Sequence, residues 1–434
     1  MSLQSRGSGS NALRTPLSHV STFFHDFSDL FRQAPLSLLF CSFTGLLAGI
    51  GLSFMTGLLQ TLPGLIILIP PAIGMRGNIY SALVSRLGTS MHLGLYSPSL
   101  KRGGILFQNA SASLVLTLVL SVILGFLVKM AAYPLGPPNG EYISLHGFVL
   151  ISVVAGLISG LVLLAIALLV SIIGYQRNWD LDNMSSPIIT SAGDVITIPA
   201  LFLAALMVLK LERLANSWSW GGWEWFSPVS LVSVFFIAAA VLAALKGLRS
   251  KDKALRRILI ESIPMLFICG LIDTLAGVTL DIRLEHLIAL PAMFIIIPPF
   301  LGESNALGGI LSSRLSSMLH IGTVEPKSLP DRLVSANFLV IYLLALIVFL
   351  VVGGTAYAAS LHLQFATPAF SKMLAIALLG GLFCTTFLNL ASYYIAILSF
   401  RFGLDPDNDT IPLITCLTDV VGVFSLLFAM HLLL

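Results

Sequence analysis

Apolar runs of 20 or more residues recur along this chain, and each is long enough to cross the ~30 Å hydrocarbon core of a bilayer. A stretch of that kind folds as a spanning helix, because hydrocarbon offers its backbone no other hydrogen-bond partner. Charged residues make up 10% of the chain and hydrophobic ones 57%, with a mean hydropathy of +0.97. A soluble domain carries about 25% charged residues. The composition therefore indicates an all-α polytopic membrane protein, with the lipid bilayer as its partner and one membrane domain of 434 residues rather than several soluble ones. A net charge of +3 gives no reason to expect nucleic acid. Residues 1–20 are polar and do not form a signal peptide. Cys41, Cys269, Cys384 and Cys416 all lie in apolar segments without metal-ligand spacing and read as packing residues.

Eleven spans are expected, at about 35–59, 62–90, 104–133, 147–174, 186–210, 228–248, 262–282, 286–318, 332–360, 370–400 and 410–433. With the N-terminus in the cytoplasm, 18 Lys and Arg residues, Arg76 among them, fall on the cytoplasmic side and five on the other. The positive-inside rule then selects a multi-pass protein of the cell membrane with a cytoplasmic N-terminus and an external C-terminus. Trp218, Trp220, Trp223 and Trp225 share one external loop and read as an interfacial aromatic belt. Phe23, Phe24, Phe27, Leu30 and Phe31 recur at helical spacing within 22–33, which reads as an interfacial helix on the inner leaflet.

The chain repeats itself. Segments 180–204 and 405–429, at an offset of 225, share ten of 25 residues. Each opens on an acidic group, Asp180–Leu181–Asp182–Asn183 or Asp405–Pro406–Asp407–Asn408, and carries an aspartate, Asp194 or Asp419, in the apolar run that follows. Segments 70–94 and 298–322, at an offset of 228, share nine of 25, including Pro70–Pro71–x–x–Gly74 with Pro298–Pro299–x–x–Gly302 and Ser85–Arg86–Leu87 with Ser313–Arg314–Leu315. Cys41 and Leu47–Ala48–Gly49 match Cys269 and Leu275–Ala276–Gly277 at the same offset. Each repeat thus has five helices. An odd number inverts the second copy unless one more span intervenes. The helix at 228–248 supplies it, so the two repeats are parallel and related by a pseudo-two-fold axis along the membrane normal. The domains follow: a cytoplasmic segment at 1–34, a first repeat at 35–211, an external loop, linking helix and basic loop at 212–261, and a second repeat at 262–434.

An aspartate within a spanning helix is costly and marks a functional site by default. Asp194 and Asp419, facing each other across the axis, would form an acidic ring for a cation. Two carboxylates repel unless a proton or cation lies between them, and a divalent ion neutralises both. Private satisfaction of each acid by hydroxyls or backbone is the structural alternative. Thr190 and Thr415, one turn earlier on the same face, either line that path or back-bond to their own helices. Asp182–Asn183 and Asp407–Asn408 offer oxygen ligands suited to Mg²⁺ at the cytoplasmic mouth, or cap their helices. The Pro–Pro–x–x–Gly stretches interrupt regular hydrogen bonding and either open the backbone toward a cavity, with Asn78 and Asn305 supplying oxygens, or simply kink. Asp273 and Glu303 are intramembrane acids without an acid at the equivalent position.

The stretch Pro70–Pro71–Ala72–Ile73–Gly74–Met75–Arg76–Gly77–Asn78 with Ser85–Arg86–Leu87 resembles the first signature of the solute carrier family 41 transporters. The twice-used Asp–x–Asp–Asn–x₃–Pro with its downstream Asp resembles their other signature. That family is similar to the MgtE magnesium channels, whose five-helix membrane domain works as a dimer. The resemblance covers about residues 35–434. It implies transport of Mg²⁺ as substrate, with no cofactor and no enzymatic role. It puts Asp194 and Asp419 in the place of the acid at the MgtE metal site, and residues 22–33 in the place of the plug helix. Two departures stand out. Only about 34 residues precede the first span, so no sensor domain is expected there; and Glu303–Ser304–Asn305–Ala306 shifts the second asparagine by one position.

The leading expectation is a divalent cation transporter or channel, for Mg²⁺, built as a pseudo-dimeric monomer. Inward movement would need no coupling ion; outward movement would need one, such as Na⁺ or H⁺. A secondary carrier for another metal or an organic cation, and an intramembrane aspartyl protease, are the competing classes.

Overall fold

The computed structural model describes residues 28–99, 101, 103–135, 142–177, 181–217, 227–327, 329–401 and 406–434, with side chains for all of these except 28–34, 36, 92, 181–187, 215–217, 320 and 406–411. The described residues form thirteen helices and no strand: α1 (Ser28–Ser53), α2 (Thr56–Thr61), α3 (Leu65–His92), α4 (Ile105–Ala132), α5 (Leu145–Arg177), α6 (Leu181–Ser217), α7 (Pro228–Leu248), α8 (Lys253–Ile282), α9 (Leu284–Ala289), α10 (Ala292–Ile321), α11 (Arg332–His362), α12 (Phe370–Arg401) and α13 (Pro406–Leu433). The chain is an all-α polytopic membrane protein. Among the described residues nine helices are long and apolar enough to cross a membrane, and α1 contributes a shorter apolar stretch at Ser37–Ser53. The remaining expected span, the second, is α3, which has the length, but Arg76, Asn78 and two prolines dilute its hydropathy.

Two expected spans are each split. The first ends at Ser53 and is followed by the six-residue α2, and the eighth comprises the six-residue α9 and then α10. Both splits come at equivalent places and both hand over to a long helix bearing the Pro–Pro pair. Gly64 makes the second handover turn in the first repeat, with φ of 85°; a Cβ there would lie 2.7 Å from Tyr142 Cδ1. The interfacial reading of 22–33 is only partly visible: 22–27 lie outside the described residues, and α1 runs from Ser28 into the apolar segment without a break. The four tryptophans of the external loop also lie outside the described residues.

The Pro–Pro stretches do not break the backbone. Pro70–Pro71 and Pro298–Pro299 lie inside the continuous helices α3 and α10. Pro70 and Pro71 are the sixth and seventh residues of α3, and Pro298 and Pro299 the seventh and eighth of α10, so each pair forgoes two intrahelical bonds, yet the helix continues past it. The expectation of an opened backbone there is therefore corrected.

The first helix of each repeat packs on the other repeat. α1 lies along α10 and touches α6, while α8 lies along α3 and touches α4 and α13. Glycine permits the approach. A Cβ on Gly49 would fall on the Ile295 carbonyl, and one on Gly277 would fall on the Ile67 carbonyl. Gly49 and Gly277 are equivalent, as are Ile67 and Ile295. α7 rests against α4 and α5 and leaves Leu231, Val234, Phe235 and Leu242 exposed toward lipid. Leu65–Ile66–Ile67–Leu68 of α3 and Met293–Phe294–Ile295–Ile296 of α10 are fully buried at the centre.

Candidate cation site

The centre is built from α3 and α6 of the first repeat and α10 and α13 of the second. α3 packs on α6 and α10 on α13, while α3 also meets α13 and α10 meets α6. Asp194 follows the first residue of α6, and Asp419 the first residue of α13, by the same number of residues. At 1.5 Å per residue each lies about 20 Å along its helix. Both helices begin about one turn earlier than the sequence suggests.

Each aspartate points at the other repeat's Pro–Pro–x–x–Gly glycine, and Asp419 also meets the asparagine of its own repeat. Asp194 Oδ2 lies 3.6 Å from the point a Cβ on Gly302 would occupy, and Asp419 Oδ2 lies 3.6 Å from that point on Gly74. The two carboxylates are close enough to act on each other electrostatically. Asn305 Nδ2 donates to Asp419 Oδ1 at 2.8 Å. Asp419 is buried and Asp194 is partly exposed, so the halves differ in access to water.

The other sequence-predicted residues divide. Asn78 Nδ2 reaches Cys416 Sγ at 3.7 Å, which brings α3 against α13. Thr190 lies beside Gly77, its Cγ2 3.5 Å from the point a Cβ there would occupy. Thr415 Oγ1 donates to the Pro412 carbonyl of its own helix at 2.8 Å, the back-bonded alternative. Asp182, Asn183, Asp407 and Asn408 sit in the first turns of α6 and α13, but their side chains lie outside the described residues, as do Asp180 and Asp405 altogether. Among the described residues no three His, Cys, Asp or Glu side chains converge closely enough to grip a bare metal ion.

Four further polar groups surround this centre. Ser42 Oγ on α1 donates to Glu303 Oε1 on α10, while Glu303 Oε2 has no partner. Asp273 on α8 is buried with neither oxygen in good hydrogen-bond geometry; the weakly donating thiol of Cys416 lies beside it. Asp273 Oδ2 lies 2.6 Å from the point a Cβ on Gly74 would occupy, next to Asp419. Arg76, counted with the cytoplasmic charges in the sequence, is fully buried between α3, α4 and α5, where Nη2 donates to Ser121 Oγ at 2.7 Å. An arginine within one long helix carries no sequence sign of its depth. The Ser–Arg–Leu signature, by contrast, is a tie between helices: Arg86 Nε donates to Asn109 at 2.9 Å, and Arg314 Nε to Asn337 at 2.7 Å.

The MgtE family model, described as a divalent cation transporter, matches residues 69–204 and again 297–429. The chain is 27% identical to solute carrier family 41 member 2 of Xenopus laevis over 397 residues, which cover 86% of this chain and 66% of that protein. It is 25% identical to the human member 2 over 388 residues, covering 85% and 64%. It is 26% identical to member 3 of Mus musculus over 420 residues, covering 87% and 78%. The chain thus spans just under two thirds of the length of the member 2 relatives. No solved structure matches it significantly.

Proposed function

The chain belongs to the MgtE family of divalent cation transporters, and from that premise we propose that it carries Mg²⁺ across a membrane through one central site made by both repeats. One observation carries the reading. Asp194 and Asp419, equivalent residues of the two repeats, come within electrostatic reach of each other and each faces the other repeat's glycine. A divalent ion between them neutralises both charges. Mg²⁺ holds its water tightly and is commonly bound through one or two carboxylates with several waters retained. The lack of a tight three-ligand cluster among the described residues suits a hydrated ion.

The two halves of the site arrive in one polypeptide, so a single chain supplies both aspartates. With the N-terminus in the cytoplasm, α6 and α13 start at the cell interior, and Asp182, Asn183, Asp407 and Asn408 in their first turns would offer oxygen ligands at the inner mouth. Inward passage of two charges gains about 4.6 kcal/mol per 100 mV of inside-negative potential, so uptake proceeds without a coupling ion.

The test is Mg²⁺ entry into proteoliposomes containing the full chain. Asp194→Asn and Asp419→Asn should each abolish entry while the protein stays monodisperse in detergent. Normal entry in both variants would remove the central site.

A further inference from the structure

The two places where a first helix crosses the opposite central helix, α1 on α10 and α8 on α3, are equivalent under the offset of 228 residues. Their side chains are not. At the α1–α10 crossing the positions read Ser42, Gly45 and Glu303. At the α8–α3 crossing the same positions read Gly270, Asp273 and Met75. Each crossing therefore holds one carboxylate, but from opposite sides: the central helix provides it in one case and the first helix in the other.

Packing accounts for the exchange. A Cβ on Gly45 would lie 2.5 Å from Pro299 Cα, a backbone atom that cannot move aside, so position 45 admits no aspartate. The acid comes instead from Glu303, which reaches Ser42 across the same crossing. On the other side Met75 fills the place of Glu303, its Cε 2.9 Å from the point a Cβ on Gly270 would occupy, and Asp273 brings the charge. Both acids are 0% exposed. Both keep oxygen atoms without a well-formed hydrogen bond, namely Oε2 of Glu303 and the two oxygens of Asp273, which have only the weakly donating Cys416 thiol beside them. A buried carboxylate with unsatisfied oxygens is costly to hold without a partner. Among the described residues neither acid has a cationic side chain for company: Arg76 turns into the α3–α4–α5 bundle toward Ser121. Asp273 Oδ2 and Asp419 Oδ2 approach the same point above Gly74, and Cys41 lies within electrostatic reach of both Glu303 and Asp194.

We infer that Glu303 and Asp273 form a second pair of carboxylates on the cation path, one beside each central aspartate, which hold the hydrated divalent ion through its water shell. The inference rests on the central reading of Asp194 and Asp419. A symmetric demand, one acid per crossing, is met by unlike residues because only one of the two first helices has room for it. The pair sets affinity for the ion. Outer-shell groups change metal affinity by roughly 10–100-fold, and that is the scale expected here.

The experiment measures initial Mg²⁺ uptake against Mg²⁺ concentration in proteoliposomes, with thermal unfolding of the same preparations. Asp273→Asn and Glu303→Gln should each raise the half-saturating concentration by at least about tenfold. Their melting temperatures should be equal to or above that of the unaltered chain, since each substitution removes a buried unpaired charge. A transplant makes the decisive variant. Asp273→Gly combined with Met75→Glu and Gly270→Ser copies the α1–α10 arrangement into the α8–α3 crossing, and should return half-saturation to near its original value. Unchanged half-saturation in Asp273→Asn and Glu303→Gln, while Asp194→Asn abolishes uptake, overturns the second pair and leaves the central site standing. A folded transplant that behaves like Asp273→Gly alone also overturns it, because the acid would then matter for where it is attached rather than for the crossing it charges. Normal uptake in Asp194→Asn and Asp419→Asn would instead remove the reading on which the inference rests.

Discussion

Asn305 Nδ2 donates a 2.8 Å hydrogen bond to Asp419 Oδ1 within the second repeat, whereas Asn78 of the first repeat reaches across to Cys416 Sγ at 3.7 Å. The one-residue shift of the second asparagine thus has a physical result: it turns the amide onto the carboxylate. A hydrogen bond to a charged group contributes about 1.5–3 kcal/mol. Asn305→Ala should therefore lower Mg²⁺ uptake by about tenfold, the same scale as an outer-shell ligand. Asn78→Ala should cost less, since a thiol is a weak acceptor. Liposome uptake compared side by side decides; the reverse order would show that the amide–carboxylate bond does not position Asp419.

The crossings of α1 and α8 depend on two glycines. Gly49→Ala and Gly277→Ala would each drive a methyl group into a backbone carbonyl of the opposite repeat, Ile295 or Ile67. Overpacking of this kind costs about 1–3 kcal/mol, and the backbone cannot yield as a side chain can. Both variants should melt several degrees lower in detergent. Gly354→Ala in α11 is the control: nothing lies within 4 Å of its Cβ position, so a gain of up to about 1 kcal/mol in helix propensity is expected instead.

Helix positions were legible because long apolar runs bounded by polar residues leave little freedom: the expected 104–133, 228–248 and 370–400 became Ile105–Ala132, Pro228–Leu248 and Phe370–Arg401. The central aspartates were legible because both copies carry them. The crossings were not. Leu47–Ala48–Gly49 and its match read as evidence of duplication, and a linear comparison does not say whose carbonyl a glycine meets. Asp273 and Glu303 read as unmatched for a related reason. The offset pairs them with Gly45 and Met75, and only packing reveals that the two mismatches compensate across equivalent crossings. The continuity of α3 and α10 through their prolines was also hidden, because a Pro–Pro pair past the first turn forfeits two helix bonds and reads as a break, whereas here packing on both sides keeps the helix going.

On the connection before α5, Tyr142 donates to Asp281 Oδ2 at 2.8 Å, tying the first repeat to the end of α8. Burial first, and then Asp281, raises the Tyr142 phenol above its ordinary value of 10. The sign follows from linkage. With the folded value raised, the unfolded chain gives up its proton first, so the contribution is complete below about pH 10 and is lost as pH rises through the folded value. The unaltered chain should melt above Tyr142→Phe at pH 8, and the gap should narrow at alkaline pH. A gap that widened there would reverse the assigned direction.

Arg76 occupies a space that the second repeat fills with aromatic rings. Its Nη2 contacts Ser121, and a Cβ on Gly156 would collide with both. The equivalent residues of Ala72, Arg76 and Ser121 are Phe300, Ser304 and Phe349, and the rings of Phe300 and Phe349 lie 4.9 Å apart against Gly381. One helix junction thus has an apolar solution and a charged one in the same chain. Arg76 Nε and Nη1 have no hydrogen-bond partner, so the charged solution is the costlier. Replacing an imperfectly paired buried charge with a well-packed apolar side chain is often neutral or stabilising, by about 1–4 kcal/mol. Arg76→Met should therefore melt at or above the temperature of the unaltered chain, and Arg76→Met with Ser121→Ala should do the same, because without the guanidinium the Ser121 hydroxyl only back-bonds to the Thr117 carbonyl of its own helix. Thermal unfolding in detergent measures both. A fall of several degrees in the double variant would mean that the guanidinium makes a net stabilising contact which its geometry here does not account for.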